Sequence, residues 1–258
     1  MPEKIIEISK LSRRIGNQYL LKNIDWTVNK GDRWVVFGAN GSGKTTLLSI
    51  LSGFSDYEMG SCKILGKEQR EYDLDELRMH IGWVSSSFFD KYYQKELVRD
   101  IILSGKTGSL GIRGQVENKD FVMVRKLLRA VNLEDKIEAQ YNMLSKGQQQ
   151  TILLIRAMMS HPEIIILDEP CTGLDVLNRE KVFNLLRQLS RNEELTIIYV
   201  THYLEEIIEV FDQGLLLKNG EIFNKGMIQD VFTSKEISNF FESEISIVQK
   251  DNQINAVF

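Results

Sequence analysis

Cysteine is scarce. The two present, Cys62 and Cys171, lie far apart with no paired spacing, which excludes a disulfide framework and a cysteine-built zinc site and leaves two expected free thiols. Long apolar runs are missing as well: Ile164–Leu167 and Leu215–Leu217 are strand-length, far below the roughly 20 residues of a membrane-spanning helix. Basic charge is not in excess, because 32 Lys and Arg stand against 36 Asp and Glu for a net charge of −4. Scattered charges of this kind give no general attraction to nucleic acid, which is therefore not an expected partner. Met1–Ile5 carries no apolar signal region, so a cytoplasmic location is expected, with any membrane contact made through a partner. No internal repeat is visible.

A composition of 43% hydrophobic and 26% charged residues suits a chain that buries a substantial core, and 258 residues suit one compact unit with an inserted subdomain. Alternating apolar residues predict strands over Lys4–Ile8 and Leu20–Val28, and further strands are expected at Arg33–Phe37, Cys62–Leu65 and Ile81–Val84. A short helix is expected near Leu74–Met79. Between Ser85 and Pro162 the strand pattern disappears, and helical spacing marks Glu96–Leu103, Phe121–Val131 and Lys146–Met159. The four glycines of Ser104–Gly114 predict a mobile surface connector there. Strands return at Glu163–Leu167 and Thr196–Val200, with a helix over Val176–Leu189 between them, an alternation that predicts a mainly parallel α/β sheet. Asn219-Gly220 between two apolar runs signals a hairpin, and residues 244–258 read as a polar, weakly patterned tail.

What the chain does have is Gly38-Ala-Asn-Gly-Ser-Gly-Lys44-Thr45, which fills every position of the phosphate-binding pattern G-x-x-x-x-G-K-[ST] between a strand and a helix. Such a loop points successive backbone N–H groups into one concavity at the positive end of a helix, where a polyphosphate fits. Lys44 is placed to reach the β- and γ-phosphates and Thr45 to put its hydroxyl on Mg2+. Ile164–Leu167 delivers Asp168 and Glu169 at the carboxyl end of a strand; an Asp there can hold the metal through water, and the Glu can aim the attacking water. Thr196–Val200 likewise delivers His202, a hydrogen-bond donor for a γ-phosphate. Leu144-Ser145-Lys146-Gly147-Gln148 opens a helix, with Ser145 as N-cap and Gly147 allowing a phosphate to approach the first turn.

Together these motifs resemble the ATP-binding cassette family over nearly the whole chain. Gly38–Thr45 matches its Walker A loop, Ile164–Glu169 its Walker B strand, Leu144–Gln148 its signature, Thr172–Asp175 its D-loop and His202 its switch histidine. The resemblance implies a P-loop NTPase core with a mainly parallel sheet (1–84 and 163–243), an N-terminal antiparallel β part, an inserted helical subdomain (85–162) and a tail (244–258). It implies ATP and Mg2+ as cofactors, with nucleotide contacts from Gly38, Asn40, Gly41, Ser42, Gly43, Lys44, Thr45 and Thr46, and contacts across a dimer from Ser145, Gly147, Gln148 and Asp175. Glu169, His202 and Lys44 are the implied hydrolytic residues, and Thr45, Asp168 and Ser86 the implied metal site. A head-to-tail homodimer, or a heterodimer with another cassette, would act on transmembrane permease subunits from the inner face of the membrane.

Gly31–Trp34, Val84–Ser87, Asp168–Asp175 and Tyr199–His202 look most like the molybdate-transport or photorepair-type branch. Three positions depart from the family pattern. Ser86 stands where a glutamine usually contacts the metal and the membrane subunit; Ile15 stands where an aromatic usually stacks on the base, with Tyr19 nearby; and Lys146 replaces a signature glycine. A soluble ATPase switch acting on a non-membrane complex is the other class these motifs allow. The single cassette, and the short stretch between Lys44 and Ser145 that leaves no room for a long coiled coil, weigh against its translation-factor and chromosome-type forms. A GTPase is disfavoured by the lack of an Asn-Lys-x-Asp element.

Overall fold

The computed structural model describes residues 2–250 and 253–257; residue 1 of the expected start and residues 251, 252 and 258 of the expected tail lie outside the described residues. The chain divides into two compact units, one of residues 1–72 with 183–258 and the other of residues 73–182.

The first unit opens with a long antiparallel pair, β1 (Lys4–Ile15) and β2 (Gln18–Asn29). Ile24, Trp26 and Val28 are buried while the residues between them are exposed, which is the period-two pattern of a sheet with one face on a core. Both strands run beyond the expected ends. Register shifts between Ile8 and Leu11, Leu11 and Arg13, and Arg13 and Arg14 break the alternation, and with it the signal by which a strand is read. β1 also pairs with β4 (Met59–Ile64), which pairs with the short β5 (Lys67–Glu68), giving the sheet order β2-β1-β4-β5. Cys62 is buried in β4, and loss of solvent pushes its thiol pKa up to about 12, so it stays protonated; Cys171 is also buried and free.

The same unit holds β3 (Arg33–Phe37), flanked in parallel by β8 (Thr196–Thr201) and β9 (Gln213–Lys218), with β10 (Glu221–Met227) antiparallel on β9 through the expected hairpin. β3 and β8 are wholly or nearly wholly buried, as parallel strands covered on both faces must be. Helix α1 (Lys44–Leu51) follows β3. After α8 (Ile228–Val231) and α9 (Ser234–Phe241) the tail is not structureless: β11 (Ser246–Lys250) and β12 (Gln253–Val257) pair antiparallel, and the Ile254 N–H donates to the Ile207 carbonyl at 3.2 Å. Two five-residue strands with half-exposed apolar residues give too short a pattern to stand out from a polar tail.

In the second unit β6 (Ile81–Ser85) and β7 (Ile164–Asp168) form a fully buried parallel pair. Around it run α2 (Leu74–His80), α3 (Ser86–Tyr93), α4 (Val98–Ser104), α5 (Asn118–Ala130), α6 (Lys146–Met158) and the start of α7 (Val176–Leu189). α3 was not expected, because its serines and aromatics carry little helix propensity. Packing supplies what propensity lacks: Phe89 stacks on Tyr93 with ring centroids 5.6 Å apart, and the Arg156 guanidinium sits 4.6 Å above Phe89.

Nor is the glycine-rich segment 104–114 the mobile connector expected from its composition. Arg156 donates to Ser104 Oγ at 3.2 Å and to the Ser109 carbonyl at 2.8 Å, and Lys106 pairs with Asp120 at 2.8 Å. A buried guanidinium has to satisfy its donors, and the loop carries the acceptors.

Candidate nucleotide site

In the first unit the loop between β3 and α1 takes the shape its glycines allow. Gly41 and Gly43 have φ of 80° and 105°, the left-handed region, and Gly43 is the N-cap of α1. A Cβ on Gly43 would lie 2.7 Å from the Leu20 carbonyl oxygen and 2.9 Å from a Leu21 methyl, so β2 leaves room for glycine alone. Lys44 is buried, with its ammonium donating to the carbonyls of Gly38 at 2.8 Å and Ala39 at 3.1 Å. Thr45 and Asn40 are exposed and Thr46 half-buried. Ser42 Oγ is buried without a hydrogen-bond partner among the described residues, the state of a polar atom set aside for a ligand.

β8 brings a second group to this loop, since Phe37 is in register with Thr201 and the Gly38 N–H donates to the Thr201 carbonyl at 3.4 Å. His202 follows directly and is half-buried, its ring 4.0 Å from that of Tyr203. The turn beyond it is held by Glu206, which the sequence reading missed. Both Tyr199 OH (2.9 Å) and Thr201 Oγ1 (2.6 Å) donate to Glu206 Oε2, in a residue only 1% exposed.

In the second unit the β6–β7 register sets Ser85 beside Asp168, and the Ser85 hydroxyl donates to Asp168 Oδ2 at 2.9 Å. Ser86, the serine singled out from the sequence, opens α3 instead, while Ser85 and Ser87 share a hydrogen bond at 3.0 Å. Glu169 has φ of 50°, a strained conformation for a residue with a side chain, and Thr172 returns to it through its N–H (3.1 Å, to the carbonyl) and its hydroxyl (3.5 Å, to the carboxylate). Strain held at a strand end is common where a side chain is aimed at a reacting group.

The signature forms a reciprocal cap on α6: Gln148 N–H donates to Ser145 Oγ at 3.3 Å, and Ser145 N–H to Gln148 Oε1 at 2.9 Å. Lys146 is drawn aside by Asp90 on α3, 2.7 Å away. Gly147 faces α7, where Asn178 is fixed by two 2.8 Å hydrogen bonds to the Asp175 carboxylate. A Cβ on Gly147 would lie 2.9–3.1 Å from the Asn178 amide atoms, so signature and D-loop meet through one asparagine.

The donor chemistry fits a magnesium nucleotide. Within the first unit, the two left-handed glycines, the buried ammonium and the buried Ser42 hydroxyl suit a polyphosphate, and the Thr45 hydroxyl is the kind of hard oxygen that Mg2+ takes; within the second, the Asp168 carboxylate is another such oxygen.

Comparison with known proteins agrees with this chemistry. The pattern of the family described as ABC transporter matches residues 21–172. YlmA of Bacillus subtilis (strain 168), an uncharacterized ABC transporter ATP-binding protein, is 36% identical over 246 residues, spanning 95% of this chain and 93% of its own. The ABC transporter ATP-binding protein ModF of Escherichia coli (strain K12) is 35% identical over 192 residues, 72% of this chain and 39% of ModF. Among solved structures, a dimeric post-hydrolysis state of an ATP-binding cassette bound to ADP and Pi matches with a TM-score of 0.75 at 26% identity, over 87% of this chain and 99% of the other. The chain belongs to the ABC transporter family, as an ATP-binding, ATP-hydrolysing cassette subunit with the P-loop fold of that family.

Proposed function

We propose that two copies of this chain, or this chain and another cassette, pair head-to-tail so that ATP lies between the phosphate loop of one and the signature of the other, and that the cycle drives transmembrane permease subunits at the inner face of the membrane. The observation that carries this reading is apolar exposure beside the signature: Met143, Val176 and Leu177 are 74%, 81% and 77% exposed, next to Ser145 and Asp175. Such residues call for a cover, and a two-fold pairing supplies one for both copies at once.

In this scheme residues 1–84 and 163–243 make the nucleotide-binding core and 85–162 the helical subdomain. Gly38–Thr46 wrap the phosphates, with Lys44 as the charge on the β- and γ-oxygens. Thr45 and Asp168 would hold Mg2+, with Ser86 at the start of α3 as the remaining member expected from the sequence, and the metal would supply charge neutralisation to the phosphates. Glu169 takes up the proton of the attacking water and His202 donates to the γ-phosphate. Ser145, Gly147, Gln148 and Asp175 complete the neighbour's site. The matching segment of ModF supports the finer relation to the molybdate-transport or photorepair-type branch.

Mixing two inactive variants tests the pairing. Lys44→Ala loses nucleotide binding at its own loop, whereas Ser145→Arg spoils the neighbour's site and leaves binding intact. A mixture of the two regains turnover at one site if the sites form across chains. Equal inactivity in every mixture would place the whole site within one chain.

A further inference from the structure

We infer that Glu206 is a positioning residue for ATP hydrolysis, acting through Thr201 to hold His202 against the phosphate loop; this rests on the reading of His202 as the γ-phosphate donor. A carboxylate in a residue 1% exposed is costly unless hydrogen bonds compensate it, and an apolar residue would fill the space without that cost. Here the compensation comes from two hydroxyls, Tyr199 OH at 2.9 Å and Thr201 Oγ1 at 2.6 Å, both on Oε2.

Thr201 is the centre of the arrangement. Its hydroxyl donates to Glu206 and accepts the Tyr203 N–H at 3.0 Å, and its carbonyl accepts the Gly38 N–H at 3.4 Å. The backbone is thereby fixed immediately before and immediately after His202, and the residue before it is tied to the first glycine of the phosphate loop. A charged acceptor strengthens the hydroxyl bond it receives and polarises the next bond along the chain. Ile207, next to Glu206, is held in turn by the Ile254 N–H of the C-terminal hairpin at 3.2 Å. The bonds immobilise the peptide groups on both sides of the half-buried imidazole. That is what a side chain needs if it is to meet a phosphate with little reorganisation.

The test uses the full-length protein and the variants Glu206→Ala, Glu206→Gln and His202→Ala, with the Glu206→Ala, His202→Ala double variant. Glu206→Ala is expected to lower kcat about tenfold or more while ATP affinity, measured with a fluorescent analogue, stays within about twofold, since binding is set at the phosphate loop. Glu206→Gln should recover most of the rate, because one amide oxygen can accept both hydroxyls. The double variant should be no slower than His202→Ala, as expected when one residue acts through the other. Additive losses, or a Glu206→Ala enzyme with undiminished kcat, would overturn the inference. Hydrogen exchange over residues 201–207 separates it from the role of His202. Faster exchange in Glu206→Ala combined with full activity in His202→Ala keeps the hold of Glu206 on the turn but sinks the γ-phosphate reading, and with it the positioning role in hydrolysis. Unchanged exchange in Glu206→Ala sinks the positioning itself, whatever His202 does.

Discussion

The phosphate loop and the signature corner are built by opposite means. Gly38–Thr45 is a backbone device: two left-handed glycines and a helix start create the concavity, and Lys44 donates to carbonyls five and six residues away. The corner at Ser145 is a side-chain device, in which Ser145 and Gln148 cap each other and Gly147 leaves room for an asparagine that Asp175 holds from another helix. A backbone device is local, so changes to it should be severe and hard to compensate. A side-chain device is shared among several residues, so each member should cost less.

The strand end at Asp168 and Glu169 belongs to neither type, and the largest effect is expected there. Glu169→Gln keeps size and one acceptor but removes the base, so turnover should fall by about 10²–10⁴-fold with ATP binding retained. Single-turnover hydrolysis and equilibrium binding measure the two separately. Loss of both together would mean that Glu169, with its φ of 50°, supports the fold of the strand end rather than the chemistry. Trapped ATP in this variant should also reveal a dimer by size-exclusion chromatography with Mg2+.

Gly43→Ala probes the backbone device. The left-handed conformation costs an alanine roughly 1–2 kcal/mol, and the new Cβ would press on the Leu20 carbonyl at 2.7 Å, so a loss of about 2 kcal/mol or more is expected, together with loss of nucleotide binding. Chemical denaturation and binding of the fluorescent nucleotide check both parts. In the side-chain device, Gly147→Ala meets the amide of Asn178 first, and that amide can turn aside at the expense of its bond to Asp175. A cost near 1 kcal/mol is expected, a Tm shift of about 2–4 °C, and the same shift for Asn178→Ala. If Gly147→Ala costs as much as Gly43→Ala, the two regions do not differ as described.

The same contrast explains what the sequence made legible. Walker A, the Asp168-Glu169 strand end and the Ser145 N-cap were readable because each is a short run whose spacing alone implies its geometry. Ser85 on Asp168 and Glu206 under Tyr199 and Thr201 were not, because hydrogen-bond partners are chosen by sheet register and by a turn that no local pattern announces. Long β1 and β2 were read as short strands because bulges reset the alternation, and segment 104–114 was read as mobile because its partner, Arg156, lies over 40 residues away in sequence.

The smallest expected effect lies at the base end of the pocket, where register sets two residues on opposite faces. Ile15 pairs with Gln18, Arg14 with Tyr19 and Arg13 with Leu21, so the shift between Arg13 and Arg14 leaves Leu20 as an extra residue. Arg14 and Ile15 are neighbours in unbroken register with Tyr19 and Gln18, and neighbours alternate, so Ile15 and Tyr19 lie on opposite faces of the hairpin. The Leu20 carbonyl and a Leu21 methyl lie against Gly43, so this end of the hairpin lies beside the phosphate loop, and Ile15 is taken as the residue that meets the base. Ile15 is 65% exposed and offers an aliphatic surface where an aromatic ring would stack more strongly. Ile15→Tyr is therefore expected to tighten both ATP and GTP, by at most about tenfold or 1.4 kcal/mol, and the wild type to separate the two nucleotides by no more than that. Tyr19→Ala should leave both affinities within about twofold, as read by titration with a fluorescent nucleotide and competition by ATP and GTP. Strong weakening in Tyr19→Ala would mean that the tyrosine, not Ile15, stacks on the base.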